Sequence, residues 1–387
     1  MKRAYVNGLV ITPNRSFLGG VIVENDRIAN VFEGALQESV EEVTDVCGAY
    51  IAPGFIDLHV HGAGGYEFSD DRIEAYETAA KLHLRHGTTA LMPTLSSVSL
   101  DTMYKAMETY RKAKDLDGMP IFLGAHMEGP YFALEQAGAQ DPEVIRDPDP
   151  KEYLPFLDEF DGLVGRWSNA VELPNALEMG LELRRRGIVA AVGHSDATYE
   201  QILPALDYGY NLMTHFYSGM AGVRRINAYR HAGAVESGYL LDDFDVEIIA
   251  DGHHLPASLL KLIYKSKGSS RICLITDAIA GAGLPEGTEL SMGSVPYIIE
   301  DGVAKLLDRS AFAGSVTTAN NLVRTMVELA DVPLCEAVKM ATLTPARVAG
   351  VDAEMGSLVP GKLANIVVFD ADYQVQNVVL KGEEVAL

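Results

Sequence analysis

Cysteine is scarce in this 387-residue chain, and its three copies, Cys47, Cys273 and Cys335, lie far apart with no CxxC pair. That spacing excludes a disulfide framework and a cysteine-held zinc site. Cys273, inside the apolar run ICLIT, reads as a small buried core residue. Long apolar runs are missing too: no window nears the ~18 uninterrupted apolar residues of a membrane span. The opening MKRAYVNGLVITPN has basic residues, but Asn7 and Gly8 break its short apolar run. It does not read as a signal peptide, so a cytoplasmic protein is expected. Positive charge is the third deficit. Lys and Arg number 31 against 54 Asp and Glu, a formal net charge of −23, which argues against nucleic acid or an anionic membrane as partner. The chain has one cluster of arginines suited to an anion, Arg224, Arg225 and Arg230. Internal repeats and low-complexity tracts are absent.

What is present describes an ordinary globular protein. Apolar residues make up 48% and charged residues 22%, enough for an ample core. The length exceeds the roughly 100–200 residues of one domain, so a large barrel with a small companion is expected. Residues 1–50 suggest short strands, Ala4–Val10, Gly20–Glu24 and Arg27–Phe32, parted by turn signals such as Asn7-Gly8 and Asn25-Asp26. The C-terminus carries a matching piece, Ile366–Asp370, Val375–Lys381 and Glu383–Leu387. Neither set can bury a core alone. The expectation is one small β-sandwich domain built from residues 1–50 and 355–387, with a catalytic unit over 51–354.

Within that unit eight strand-like runs alternate with amphipathic stretches. They are Ile51–His59, Thr89–Pro93, Ile121–His126, Leu163–Val171, Ile188–Gly193, Asn211–Thr214, Val246–Ala250 and Ile272–Thr276. Several intervening helices end at glycine, for example Gly87, Gly187, Gly209 and Gly268. The pattern predicts an α/β fold, a (β/α)8 TIM barrel. A segment over 289–309 reads as a hairpin insertion covering the barrel top, and Ala319–Leu329 and Pro333–Ala341 as closing helices.

Chemistry-bearing residues fall at the C-terminal ends of these strands, where barrel enzymes build their sites. His59 and His61 end the first strand with one residue between them, so both imidazoles leave on one face. Glu128 follows the third strand, His194 the fifth, His215 the sixth and Asp277 the eighth. One histidine at a strand end is most often a structural residue; six such groups at one face are a metal site. Imidazoles and a carboxylate suit zinc, iron, manganese or cobalt, with zinc the first expectation, and a bound ion makes water acidic enough to attack near neutral pH. A neighbouring carboxylate, Asp277, can move that water's proton. This is equipment for hydrolysing an amide or ester. His83 and His86, near a helix end before Gly87, read as structural cations at the helix dipole. His126 reads as a partner of the metal site or a core residue, and Trp167 as core or interface.

The order HxH, Glu, His, His, Asp resembles the amidohydrolase superfamily. PGFIDLHVHGAGG (53–65), HMEGPYF (126–132), GHSDATYEQI (193–202), TH with Met five residues on (214–220), DGHH (251–254), TDA (276–278) and AGS (313–315) resemble its N-acetylglucosamine-6-phosphate deacetylase branch. The likeness runs along essentially the whole chain. It implies Glu128, His194 and His215 as ligands of the catalytic ion, and His59 and His61 as holders of a second ion in two-metal members. It further implies Asp277 as catalytic acid/base and His254 as a catalytic contact near the reacting end. Gln140, Ser218, Gly219 and Ser315, or the backbone around Gly314, would contact substrate, and Arg230, with Arg225 second, would bind the 6-phosphate. The family's HLFNAM becomes His215-Phe216-Tyr217-Ser218-Gly219-Met220 here, a change in sugar recognition and not in metal chemistry. The expected activity is removal of acetate from N-acetylglucosamine 6-phosphate, a small amino-sugar phosphate, by a homodimer using one or two divalent ions. The rival expectations are a deacetylase of an unphosphorylated or epimeric N-acetylhexosamine or another N-acyl compound, and a non-catalytic barrel that only binds.

Overall fold

A computed structural model describes residues 1–293 and 295–386. Its centre is a parallel barrel of eight strands. These are Phe55–Val60, Thr88–Leu95, a broken third strand (Ile121–Phe122 and Ala125–Glu128), Val164–Asn169, Val189–Val192, Tyr210–Met213, Asp245–Ile248 and Ile272–Leu274. Parallel pairing runs unbroken from the first to the eighth. Both faces of such strands are covered, which is why they read as continuous apolar runs and not as alternation.

The seam between strands eight and one is closed by side chain and main chain together. Asp57 accepts from Thr276 Oγ1 at 2.5 Å and from the Thr276 amide at 3.2 Å, and the Asp277 amide donates to His59 O at 2.8 Å. Burial pushes the Asp57 carboxyl up to about 7, even against these hydrogen bonds.

The first expected strand, 51–59, is two strands. Tyr50–Pro53 pairs with Leu9 and Val10 and runs antiparallel to Ile366–Phe369, in the sheet of the termini. Phe55–Val60 belongs to the barrel. Gly54 makes the crossing, and a Cβ there would lie 2.2 Å from Thr89 Oγ1, so only glycine lets the backbone pass. One unbroken apolar run thus served two sheets. The terminal sheet has eight strands, drawn from 2–53 and 366–384. It closes on itself where Ile28 N donates to Lys362 O and Ala364 N to Asp26 O, at 2.9 and 2.8 Å. Tyr5, Val21, Ile28, Ile51, Ile366 and Val379 fill its own core. The last expected strand is short, Glu383–Glu384, and Leu387 lies outside the described residues.

The expected hairpin over 289–309 is a four-stranded antiparallel sheet, Glu289–Met292, Val295–Glu300, Val303–Leu306 and Phe312–Gly314; Ser294 within it is not described. Its fourth strand brings Phe312, Ala313 and Gly314 to the barrel mouth. Closing helices follow at Ala319–Glu328 and Leu334–Met340. Among the described residues, no helix is long and apolar enough to cross a membrane.

Candidate metal centre and its cleft

Six side chains converge at the C-terminal end of the barrel. Glu128 Oε1 lies 3.0 Å from His215 Nε2, 3.3 Å from His194 Nε2 and 3.5 Å from His59 Nε2. Its Oε2 is 3.2 Å from His61 Nε2. Asp277 Oδ1 lies 3.3 Å from His59 Nε2 and 3.2 Å from His61 Nε2. Two groups with the spacing of metal ligands result, His59–His61–Glu128 and Glu128–His194–His215, sharing one carboxylate.

The donor set fits a cation. His194 Nδ1 lies 2.7 Å from Gln136 O; a carbonyl only accepts, so Nδ1 carries the proton and Nε2 turns a lone pair inward. That lone pair faces His215 Nε2 at 3.1 Å and the Glu128 carboxylate. Buried lone pairs and carboxylate oxygens this close repel unless protons or metal ions lie among them. The outer nitrogen of His61 is also anchored, 2.9 Å from Ser96 Oγ, as metal-bound histidines require. Those of His59 and His215 have no hydrogen-bond partner.

Charge balance agrees with this. Burial pushes His59 down, but the Asp277 and Glu128 carboxylates outweigh it and lift the imidazole to about 9. His61 is raised well above its usual range by the same two carboxylates, again against burial. Burial alone would raise Glu128, yet the surrounding histidines hold it well below the carboxylate range. The carboxylates thus favour positive charge among these imidazoles, as a cation site does. Backbone strain marks the same place: His194, His215 and Asp277 have φ of 46°, 28° and 49°, a left-handed region that costs L-residues about 1–3 kcal/mol each.

The centre opens into a cleft of about 250 Å³ lined by His61, Glu128, His194, His215, His254 and Asp277, with Ser218, Gly219 and 312–314. Asp277 is the carboxylate that faces it, 14% exposed against 2% for Glu128. His254 donates from Nδ1 to Asp251 Oδ2 at 2.7 Å, and its ring lies 5.0 Å from Phe312. Gly219 has φ 57°, and a Cβ there would stand 2.8 Å from His194 Nδ1. An alanine at this place would need a slightly different seat for that histidine.

The other expected contacts divide. Gln140 lines the cleft and also braces the centre: its Nε2 donates to Glu128 Oε2 at 2.8 Å, and its Oε1 accepts from Ser97 N at 3.0 Å. Ser315 does not reach the cleft. It is wholly buried, its hydroxyl donating to Thr276 O, while Gly314, the other expectation there, lines the cleft with Ala313. Arg225 and Arg230 face each other across an exposed hairpin, Arg224–Ile226 with Tyr229–His231, and neither lines the cleft. Arg224 is paired with Asp196. His83 is no helix-end cation: fully buried, it reaches Gly62 O through Nε2 at 3.1 Å, and burial pushes it down to about 4.

The amidohydrolase family profile matches residues 50–385. The chain belongs to the amidohydrolase family. An N-acetylglucosamine-6-phosphate deacetylase of Haemophilus influenzae is 33% identical over 99% of each chain. An N-acetylgalactosamine-6-phosphate deacetylase of Escherichia coli is 33% identical over 92% of this chain and 93% of its own. Among solved structures, an N-acetyl-D-glucosamine-6-phosphate deacetylase of Mycobacterium smegmatis, an aspartate-to-alanine variant in complex with N-acetyl-D-glucosamine-6-phosphate, has a TM-score of 0.91 at 30% identity. It covers 100% of this chain and 99% of its own.

In this amidohydrolase several residues beneath the centre escaped sequence reasoning. Arg166 and Glu247 form a wholly buried pair in the barrel. His126, expected as a partner of the site or a core residue, is beside them, bonded to Ser168 Oγ at 2.8 Å and Thr94 Oγ1 at 3.1 Å with its ring at right angles to His59. The available signal was a charged residue inside an apolar strand run, as at Asp57, Arg166 and Glu247.

Proposed function

We propose that this hydrolase removes acetate from N-acetylglucosamine 6-phosphate, giving glucosamine 6-phosphate. The observation that carries the reading is the shared Glu128: two ligand groups meet at it beside a cleft-facing aspartate. The names of full-length relatives support the substrate class. Glu128, His194 and His215 would hold one divalent ion and His59 with His61 a second, zinc first among zinc, iron, manganese and cobalt. A divalent ion held there supplies Lewis acidity, acidifying water and polarising an acyl oxygen. Asp277 accepts the attacking water's proton and returns it to the departing nitrogen. His254, oriented by Asp251, contacts the substrate near its reacting end. Gln140 holds Glu128 in place. Ser218 and the backbone of Gly219 and Gly314 face the sugar and its acetyl group.

The 6-phosphate meets no lysine or arginine among the cleft-lining residues. We assign it to Arg230, with Arg225 second: like charges directly opposed across a hairpin are stabilised by an anion. Val223 and Tyr229, 56% and 76% exposed on the same hairpin, support a homodimer that covers them. A sugar phosphate does not leave the cell unaided, which supports a cytoplasmic enzyme. The small sandwich and the catalytic barrel are proposed as separate units, their junction at Gly54 and not at residue 51.

The test is acetate release by the metal-loaded protein, as kcat/KM for N-acetylglucosamine 6-phosphate, its free sugar and the galactosamine epimer. A 100-fold phosphate preference represents about 2.7 kcal/mol of transition-state binding, and it should vanish in Arg230→Ala. A second reading, an epimeric or unphosphorylated N-acetylhexosamine, is favoured by the cation-free cleft and by the Escherichia coli relative. Equal rates with free sugar, or a faster epimer, would establish it.

A further inference from the structure

Under the metal centre the barrel interior holds a salt bridge sealed from water. Arg166 and Glu247 are both 0% exposed. Arg166 Nη1 donates to Leu58 O at 3.1 Å and to Glu247 Oε1; its Nη2 donates to Glu247 Oε2 at 2.6 Å, Thr214 Oγ1 at 2.8 Å and Ser168 Oγ at 3.3 Å. Strands one, four, six and seven are tied through one guanidinium. Apolar residues of the same volume would pack here at equal or lower free-energy cost, so stability alone does not account for the pair.

Its position does. Glu247 Oε2 is 3.7 Å from His59 Nδ1, and that nitrogen has no hydrogen-bond partner. The ring is held edge-on by His126 at 4.5 Å, and its Nε2 points at Glu128 and Asp277. A histidine ligand needs its outer N–H held by an acceptor so that the inner nitrogen offers a lone pair. His61 and His194 have theirs in Ser96 and Gln136. For His59 the nearby carboxylate is Glu247, less than 1 Å beyond hydrogen-bond reach. We infer that Glu247, aimed by Arg166, is a positioning residue for His59, accepting its Nδ1–H so that Nε2 offers its lone pair to an ion. It thereby governs occupancy of the His59–His61–Glu128 group and leaves the Glu128–His194–His215 group alone. Whether the centre works with one ion or two is then decided partly by a pair that touches neither.

The inference rests on the metal reading of the centre, and the test separates the two. Zinc is titrated into metal-free protein against a competing chelator, and ions per chain are counted. Gln at 247 would satisfy only one fork of Arg166, so the variants are Glu247→Asp, which keeps the charge but withdraws it from His59, and the pair Arg166→Met with Glu247→Met, which removes both charges at similar volume. Wild type should bind two ions. Both variants should keep the first affinity and weaken the second by about 10–100-fold, with melting of the metal-free protein showing that they fold. Selective loss of one ion is not what a purely structural pair would give. Two ions at wild-type affinity in Glu247→Asp, equal weakening of both ions, or one ion in wild type would overturn the inference. No ion in wild type would instead overturn the metal reading beneath it.

Discussion

At the scale of single residues, the centre is a contest between protons and metal for the same lone pairs. With His59 raised to about 9 by Asp277 and Glu128 against its burial, an ion entering below that pH must displace a proton. Metal addition at pH 7 should therefore release protons into an unbuffered solution, and apparent affinity should climb with pH and level off near pH 9. A flat affinity between pH 6 and 9 would mean that these imidazoles are neutral without metal. Asp277 is the residue whose loss should separate chemistry from binding. Asp277→Asn keeps its size and one acceptor but cannot take a proton, so kcat should fall by about 10²–10⁴-fold while metal content stays. If the ions leave with the charge, Asp277 is chiefly a ligand. The residues of this centre were legible in the sequence because each ends a strand. Those feeding them were not: Gln136 acts through a main-chain carbonyl, which has no sequence signature, and Gln140 reaches Glu128 from a loop whose path only the fold defines.

At the scale of elements, the helix Ile73–Arg85 shows how packing overrides a sensible reading of sequence. Two histidines near its end suggested cations at a dipole, yet the helix turns its buried face, Tyr76, Ala79, Ala80 and His83, to the barrel. His83 there supports the glycine turn that follows His59 and His61, through Gly62 O. The sign of its pH effect follows. Its folded pKa of about 4 lies below the unfolded value of ~6.5. Above 6.5 both states are neutral, and as pH falls towards 4 the unfolded chain takes a proton that the folded chain refuses. Stability should drop by about 3 kcal/mol across that window. In metal-free His83→Gln, which can still donate to Gly62, denaturant midpoints between pH 6.5 and 4 should fall less steeply than in wild type. Equal slopes would show that His83 titrates freely in the fold. The division of the run 51–59 has the same origin: apolarity marks burial, and only Gly54 pressed on Thr89 reveals that two sheets share it.

At the scale of the whole molecule, the barrel and an ion held at its mouth should stabilise one another. Strands one, three, five and six each deliver candidate ligands to one point, and strand eight adds Asp277. The seam between strands eight and one is short in main-chain pairing and leans on Asp57, two residues before His59. An ion that binds only the folded state adds RT ln(1 + [L]/Kd), about 4 kcal/mol at a thousandfold excess over Kd. In a chain this long the increment appears as a rise of a few degrees in melting temperature. Stripping the metal with a chelator should lower the melting temperature by that amount, and zinc should restore it in proportion to the logarithm of its free concentration. The loss should be local before it is global. Amide exchange in metal-free protein should quicken first at residues 57–62 and 272–278, along the seam, while the sheet of the termini, with a separate core around Ile51 and Ile366, keeps its protection. Uniform acceleration through both units would mean that the ion stabilises the fold as a single cooperative block, with the seam no weaker than the rest.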